Sequence, residues 1–128
     1  MDDYQFRSLE LKNKGYCCSQ ILVQLSLDLI EKNNEELVKS MKGLCNGLFS
    51  GELCGCLSAG AVTLSLLLAE EDVPEAVHEL TNLFRNNYGK FKCSELLEGK
   101  SKSEVCQQIL FQTYDWIREI YFELADEV

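Results

Sequence analysis

Apolar residues recur at every third or fourth position along most of the chain, which is the spacing of an α-helix buried on one side. The pattern is regular between Cys17 and Ile30, and it returns over the last third of the sequence. That last apolar face consists of Cys106, Ile109, Leu110, Thr113, Ile117, Ile120 and Leu124. The alternation typical of a β-strand never extends beyond a few residues. The sequence therefore predicts an all-α fold, a compact bundle of about six helices forming a single domain over residues 1–128.

Capping and turn residues predict where individual helices begin and end. Asn33 or Asn34 has the side chain of an N-cap, and the apolar spacing predicts a helix that continues from there to Leu48. Asp72, which is followed two residues later by a proline, suits the start of another helix, and Gly89 suits its end. These boundaries divide the chain into short helices joined by short turns.

The middle of the chain is its most apolar part. Residues 59–69 are apolar on nearly all sides, which predicts a helix at the centre of the bundle. The preceding sequence GLCNGLFSGELCG, residues 43–55, is rich in glycine and is expected to turn the chain. The uncharged run from Leu53 to Ala69 is shorter than the roughly 20 apolar residues that a membrane span requires. We therefore expect a buried core helix here.

The charge of the chain restricts its partners. It contains 12 Lys and Arg against 21 Asp and Glu, for a net charge of -9. Such a surface repels phosphate backbones and anionic lipid, so neither nucleic acid nor a membrane is expected as a partner. The first residues contain no basic segment followed by an apolar one, as a secretory signal would, and we expect a cytoplasmic protein. The sequence leaves open whether it forms a homo-oligomer.

Seven cysteines are far more than an ordinary cytoplasmic domain of this length needs, and in that compartment they favour metal or redox chemistry over structural disulfides. The six at or near predicted helix starts are Cys17, Cys18, Cys54, Cys56, Cys93 and Cys106. Unpaired N–H groups and the positive dipole end of a helix favour a thiolate over a thiol, which makes such sulfur reactive. Cys45, by contrast, is expected in the middle of a helix as a packing residue.

Four motifs carry a resemblance to a known family, in its order and spacing. They are GYCCSQIL at residues 15–22, CGCLSAGA at 54–61, FKCSELLEG at 91–99 and VCQQIL at 105–110. The chain resembles the C-GCAxxG-C-C family, small all-helical domains regarded as redox-active and marked by four characteristic cysteines. The resemblance implies that the catalytic cysteines are Cys18, Cys54, Cys93 and Cys106, with accessory positions at Cys17, Cys56, Gly55 and Gly60. It implies a redox partner protein without naming one.

Two kinds of chemistry remain open for these thiols. They can cycle between dithiol and disulfide, or Cys18, Cys54, Cys93 and Cys106 can together hold zinc or an iron–sulfur cluster. The absence of any Cys-x-x-Cys pair argues mildly against the metal. A third possibility is a helical interaction domain with structural cysteines.

Two further expectations concern single residues. Cys54, which precedes Gly55 and should stand outside the helix, is expected to be the working thiol of its turn, with Cys56 as an accessory or packing residue. His78, the one histidine, is expected to be a solvated surface residue.

Overall fold

The computed structural model of the chain describes residues 2–125, and Met1 and residues 126–128 of the predicted domain lie outside that part. The seven α-helices are α1 (Asp3–Asn13), α2 (Cys18–Leu29), α3 (Glu35–Ser40), α4 (Gly55–Leu67), α5 (Val73–Tyr88), α6 (Cys93–Leu96) and α7 (Lys102–Ala125). Within residues 2–125, β-structure is limited to an isolated antiparallel bridge between Leu53 and Lys92. The predicted all-α fold is confirmed, with seven α-helices in residues 2–125 where the sequence indicates about six helices.

Helix α4 is central, as its all-round apolar surface predicts, and it packs against α2, α5 and α7. Its close approach to these helices depends on Gly60. A β-carbon at this position would lie 2.7 Å from Leu80 Cδ2 of α5 and 3.5 Å from Thr113 Cγ2 of α7. The missing side chain therefore lets two neighbouring helices pack directly on the α4 backbone.

Helix α2 is more deeply buried than a helix with one apolar face. Leu22, Val23 and Leu25, which lie on different sides of it, are at most 2% exposed, because α1, α3, α4 and α7 all pack around it. The buried hydroxyl of Ser26 donates a hydrogen bond to the Leu22 carbonyl at 2.9 Å. Together α2 and α4 form the middle of the bundle, so the starts of these two helices are fixed relative to each other.

The prediction that this helix continues to Leu48 is wrong, because α3 ends at Ser40. A 3₁₀ turn, Met41–Leu44, follows, and the chain then adopts left-handed backbone at Asn46, Leu48 and Phe49. The apolar spacing predicted that Leu48 would be buried in a helix. In the turn, the side chains of Leu48 and Phe49 are instead 49% and 57% exposed. Glycines within this segment weaken a helix, and the segment turns to reach the start of α4.

The cap of α3 gives a direct test of how this helix begins. The Leu37 N–H donates to Asn34 Oδ1 at 3.0 Å, so Asn34 rather than Asn33 is the N-cap. We expect Asn34→Ala to lower the free energy of unfolding by about 1 kcal/mol in urea denaturation, because a backbone donor loses its partner. Asn33→Ala, an exposed neighbour, is the matched control and should change it by less than half as much. Equal effects of the two substitutions would contradict the assignment.

Candidate functional site

The first turns of α2 and α4 touch each other, and this contact positions Cys18. The Ser19 hydroxyl donates a hydrogen bond to the Gly55 carbonyl at 3.1 Å. A β-carbon on Gly55 would lie 2.6 Å from Ser19 Oγ, 2.9 Å from the Leu44 carbonyl oxygen and 3.3 Å from Cys18 Sγ. Cys18 sulfur therefore packs against the backbone at the start of α4, in space that any other residue at position 55 would occupy.

A short backbone pairing holds Cys54 beside Cys93. The N–H of Cys54 donates to the Phe91 carbonyl at 2.8 Å, and the N–H of Cys93 donates to the Glu52 carbonyl at 2.6 Å. Gly47 packs on the other side, where a β-carbon would lie 2.8 Å from Cys93 Cβ. The starts of α4 and α6 are consequently fixed side by side.

These contacts leave a cavity of about 450 Å³ at the N-terminal ends of α2, α4, α6 and α7. Its wall is mostly apolar and includes Ile21, Leu96, Ile109 and Leu110. The cysteines that line it are Cys17, Cys18, Cys54, Cys56, Cys93 and Cys106. All four motif cysteines are therefore among the residues that line this one cavity. Their chemical roles stay predictions.

Cys56 is the central member of a trio of thiols with Cys18 and Cys54. It is fully buried, and it lies within hydrogen-bonding reach of the sulfurs of Cys18 and Cys54. The Cys56 hydrogen bond lowers the pKa of Cys18 to about 7, against the opposing effect of burial. It also lowers the pKa of Cys54, helped by the backbone N–H groups of Leu57 and Cys56 at the start of α4. Its hydrogen bond to the sulfur of Cys18 or of Cys54 stabilises the protonated form, and together with burial this raises the pKa of Cys56 well above that of an ordinary thiol.

The helix starts do not lower the pKa of every cysteine near them, as the sequence suggests they would. Burial raises the pKa of Cys93, and it raises the pKa of Cys106 to about 11. Helix α6 has four residues and little dipole, while Cys106 is the fifth residue of α7, beyond its unpaired N–H groups. The field of a helix end falls off within its first turn, so burial prevails at both positions.

The interpretation of Cys45 as an isolated packing thiol is wrong. Its sulfur lies at bonding distance from that of Cys17, with 6.1 Å between the two α-carbons, inside the usual disulfide range of about 4.4–6.8 Å. Cys45 follows the 3₁₀ turn in extended backbone rather than lying within a helix. The pair is separated by 28 positions in the sequence, and no spacing rule could have revealed it.

The paired predictions of a metal site and of a surface histidine can be compared with the same geometry. Within residues 2–125, no three Cys, His, Asp or Glu side chains are grouped so that they could hold a metal ion. Cys18, Cys54, Cys93 and Cys106 line the cavity without being grouped as the ligand set of zinc or an iron–sulfur cluster. His78 is exposed on α5, as expected, with its Nε2 3.1 Å from Asn82 Nδ2.

Fold and cavity together define a class of protein: an all-helical bundle whose helix starts bring cysteine thiols to one pocket. The chain belongs to the family described as "Putative redox-active protein (C_GCAxxG_C_C)", whose model matches residues 16–120. No curated protein and no solved structure matches this chain. Among the helices of the described residues, none combines the length and the apolar character that crossing a membrane requires.

The Cys17 and Cys45 contact predicts the partner of Cys17 on mild oxidation. We expect peptide mapping of the oxidised protein, alkylated in denaturant before digestion, to find the peptides of Cys17 and Cys45 linked. In the Cys45→Ser variant, Cys17 should be recovered alkylated. Recovery of Cys17 linked to Cys18 or to Cys56 in the unaltered protein would contradict the pairing.

The lowered pKa of Cys18 predicts the pH dependence of its reactivity. Because the thiolate is the nucleophile, the alkylation rate of Cys18 should fall as the pH drops through about 7. Cys56→Ala removes the hydrogen bond that stabilises the thiolate, so the midpoint should move up toward that of an ordinary thiol. Cys93→Ala is the control and should leave it near 7. Iodoacetamide labelling followed by mass spectrometry of the Cys18 peptide measures the alkylation rate of each variant against pH. If Cys56→Ala leaves the midpoint of that pH profile unchanged, the Cys56 hydrogen bond is not the cause of the low pKa of Cys18.

Proposed function

We propose that the protein performs thiol–disulfide exchange in this cavity, with Cys18 as the attacking thiol and Cys56 as the thiol that resolves the intermediate. The observation that carries the proposal is the trio of neighbouring thiols in one cavity, where buried Cys56 lies beside Cys18 and Cys54, whose pKa values are lowered. Cys18 is the most exposed of the three, since it is half-buried while Cys54 and Cys56 are 6% and 1% exposed. An incoming disulfide can therefore reach Cys18 first.

The first step is attack by the Cys18 thiolate on one sulfur of a disulfide in the cavity. A bond forms between Cys18 Sγ and that sulfur, the substrate S–S bond breaks, and its other half leaves as a thiolate. With a pKa of about 7, Cys18 is substantially ionised near neutral pH. An attacking thiol whose pKa matches the ambient pH is the most effective, because it combines a high thiolate fraction with good nucleophilicity.

The second step closes a disulfide within the protein. Cys56 attacks Cys18 Sγ, so a Cys18–Cys56 bond forms while the remaining half of the substrate leaves as a second thiolate. The Cys56 proton passes to Cys54, whose thiolate is favoured by the N–H groups of α4. Two electrons have then moved from the Cys18 and Cys56 pair to the substrate, which has become two thiolates. The reverse sequence would oxidise a dithiol substrate.

The other motif residues receive supporting roles in this scheme. Cys93 and Cys106, whose pKa values are raised by burial, stay neutral thiols on the cavity wall. Gly55 positions Cys18 over the start of α4, and Gly60 holds α4 in the bundle. The sequence-based choice of Cys54 over Cys56 as the working thiol stays a prediction. The proposed scheme departs from it, because Cys56 forms the disulfide and Cys54 accepts the proton.

A neutral aromatic disulfide, dithiodipyridine, tests the two steps separately. With one equivalent of reagent per protein, we expect both halves to be released as free thiopyridone, the second on resolution by Cys56. Cys56→Ser should stop after the first release and leave a mixed disulfide on Cys18, visible by mass spectrometry. Cys18→Ser should lose the rapid reaction, and Cys93→Ser, the matched control, should release both halves.

Two results would contradict this assignment. If Cys54→Ser accumulates the mixed disulfide with the reagent bound to Cys18 while Cys56→Ser does not, Cys54 is the resolving thiol. If protein purified without air carries stoichiometric zinc, or iron with sulfide, and loses it in Cys18→Ser, the cavity is a metal site rather than a dithiol.

A further inference from the structure

The cysteine cavity differs in charge from the rest of the protein. The whole chain carries a net charge of -9, yet no carboxylate is among the residues that line the cavity, while Lys12 and Lys102 are. Lys12 belongs to α1, and Lys102 is the first residue of α7. A lining that is otherwise uncharged and mostly apolar thus carries two positive charges in a strongly acidic molecule.

Both lysines are free to interact with a ligand. Neither forms an ion pair with a carboxylate within residues 2–125. The nearby carboxylate of Glu10 on α1 pairs instead with Arg7 and Lys14, which lie one helical turn before and after it. Lys12 Nζ donates a hydrogen bond to Ser103 Oγ at 2.6 Å, which fixes it beside the start of α7. Lys102 is close enough to the sulfurs to lower the pKa of Cys18. An anionic group bound by these ammonium groups would lie near the reactive thiols.

We propose that the substrate of this cavity is a small disulfide that bears carboxylate groups, bound through Lys12 and Lys102 with its sulfurs at Cys18. The inference rests on the proposed function and adds the class of substrate. A volume of about 450 Å³ falls within the 300–1,000 Å³ typical of small-molecule sites. The apolar wall suits the carbon skeleton of such a molecule, and the two ammonium groups suit its carboxylates.

The lysines act on the exchange reaction without changing its balance. Cys18 sulfur bonds to one substrate sulfur, the substrate S–S bond breaks, and the leaving half departs as a thiolate. Both electrons of the reduction come from the Cys18 and Cys56 pair. Lys12 and Lys102 hold the carboxylates and attract an anion that the acidic surface would otherwise repel.

A pair of reagents that differ in charge tests this substrate class on the intact protein. Dithiobis(nitrobenzoate) is a dianionic aromatic disulfide, and dithiodipyridine is a neutral one. For each reagent, the rate of reaction with Cys18 is divided by its rate with free cysteine. The measured quantity is the normalised rate of the anionic reagent divided by the normalised rate of the neutral reagent. Because both reagents report on the same thiol, a change in the pKa of Cys18 cancels in this ratio.

We expect the ratio to exceed one in the unaltered protein and to fall about tenfold in a Lys12→Gln, Lys102→Gln double variant, since electrostatic attraction of this kind raises association by 10-fold or more. The matched control is Lys32→Gln, because this exposed lysine follows the opposite end of α2. Raising the salt concentration from about 0.01 M to about 1 M should lower the ratio in the unaltered protein and affect the double variant far less.

The outcomes separate the substrate class from the proposed function. A ratio below one, or one that the double variant leaves unchanged while dithiodipyridine still reacts rapidly at Cys18, would overturn the anionic substrate and leave the exchange chemistry standing. Failure of both reagents to react at Cys18 would overturn the exchange chemistry itself. An equal drop in Lys32→Gln would show a general surface effect and would also overturn the proposal.

Discussion

The contact between the first turns of α2 and α4 is the constraint on which the rest of the site depends. Two helix starts rarely face each other, because their unpaired N–H groups carry partial charges of the same sign. In this bundle the sulfurs between them relieve that repulsion. Cys54 sulfur accepts hydrogen bonds from backbone N–H groups of α4, and Cys18 sulfur accepts one from a backbone N–H group of α2. Gly55 makes the approach possible by leaving the space for Cys18 empty.

Burial sets how much negative charge the trio of thiols can hold. Each sulfur would lose hydration on ionising, and each ionised sulfur would oppose ionisation of its neighbours. Keeping the proton on Cys56, the most buried of the three, places an S–H donor where it can support a thiolate on either side. The three groups therefore titrate as a unit, and reactivity is concentrated in Cys18, the most exposed of the three.

Much of this arrangement follows from the sequence, and the rest depends on distant contacts. Helical periodicity predicted the all-α fold, Gly89 ended α5, and the cysteines fell at helix starts that meet in one cavity. The sequence could not predict that α3 would end at Ser40, because its apolar spacing continues through residues that turn instead. The opposite pKa shifts of Cys54 and Cys56 depend on burial and on sulfur contacts across the bundle, which no local pattern specifies.

The pairing of Cys17 with Cys45 has a consequence for how long the protein would last in a cell. A bond between them would enclose all of α2 and α3 in a covalent loop, since 28 positions separate the two residues. Closing a loop of that length removes about 3–4 kcal/mol of entropy from the unfolded chain, which reduces the unfolded population more than a hundredfold. Because proteases act on that population, oxidised and reduced molecules would be degraded at different rates, and abundance itself would follow the redox state of the compartment.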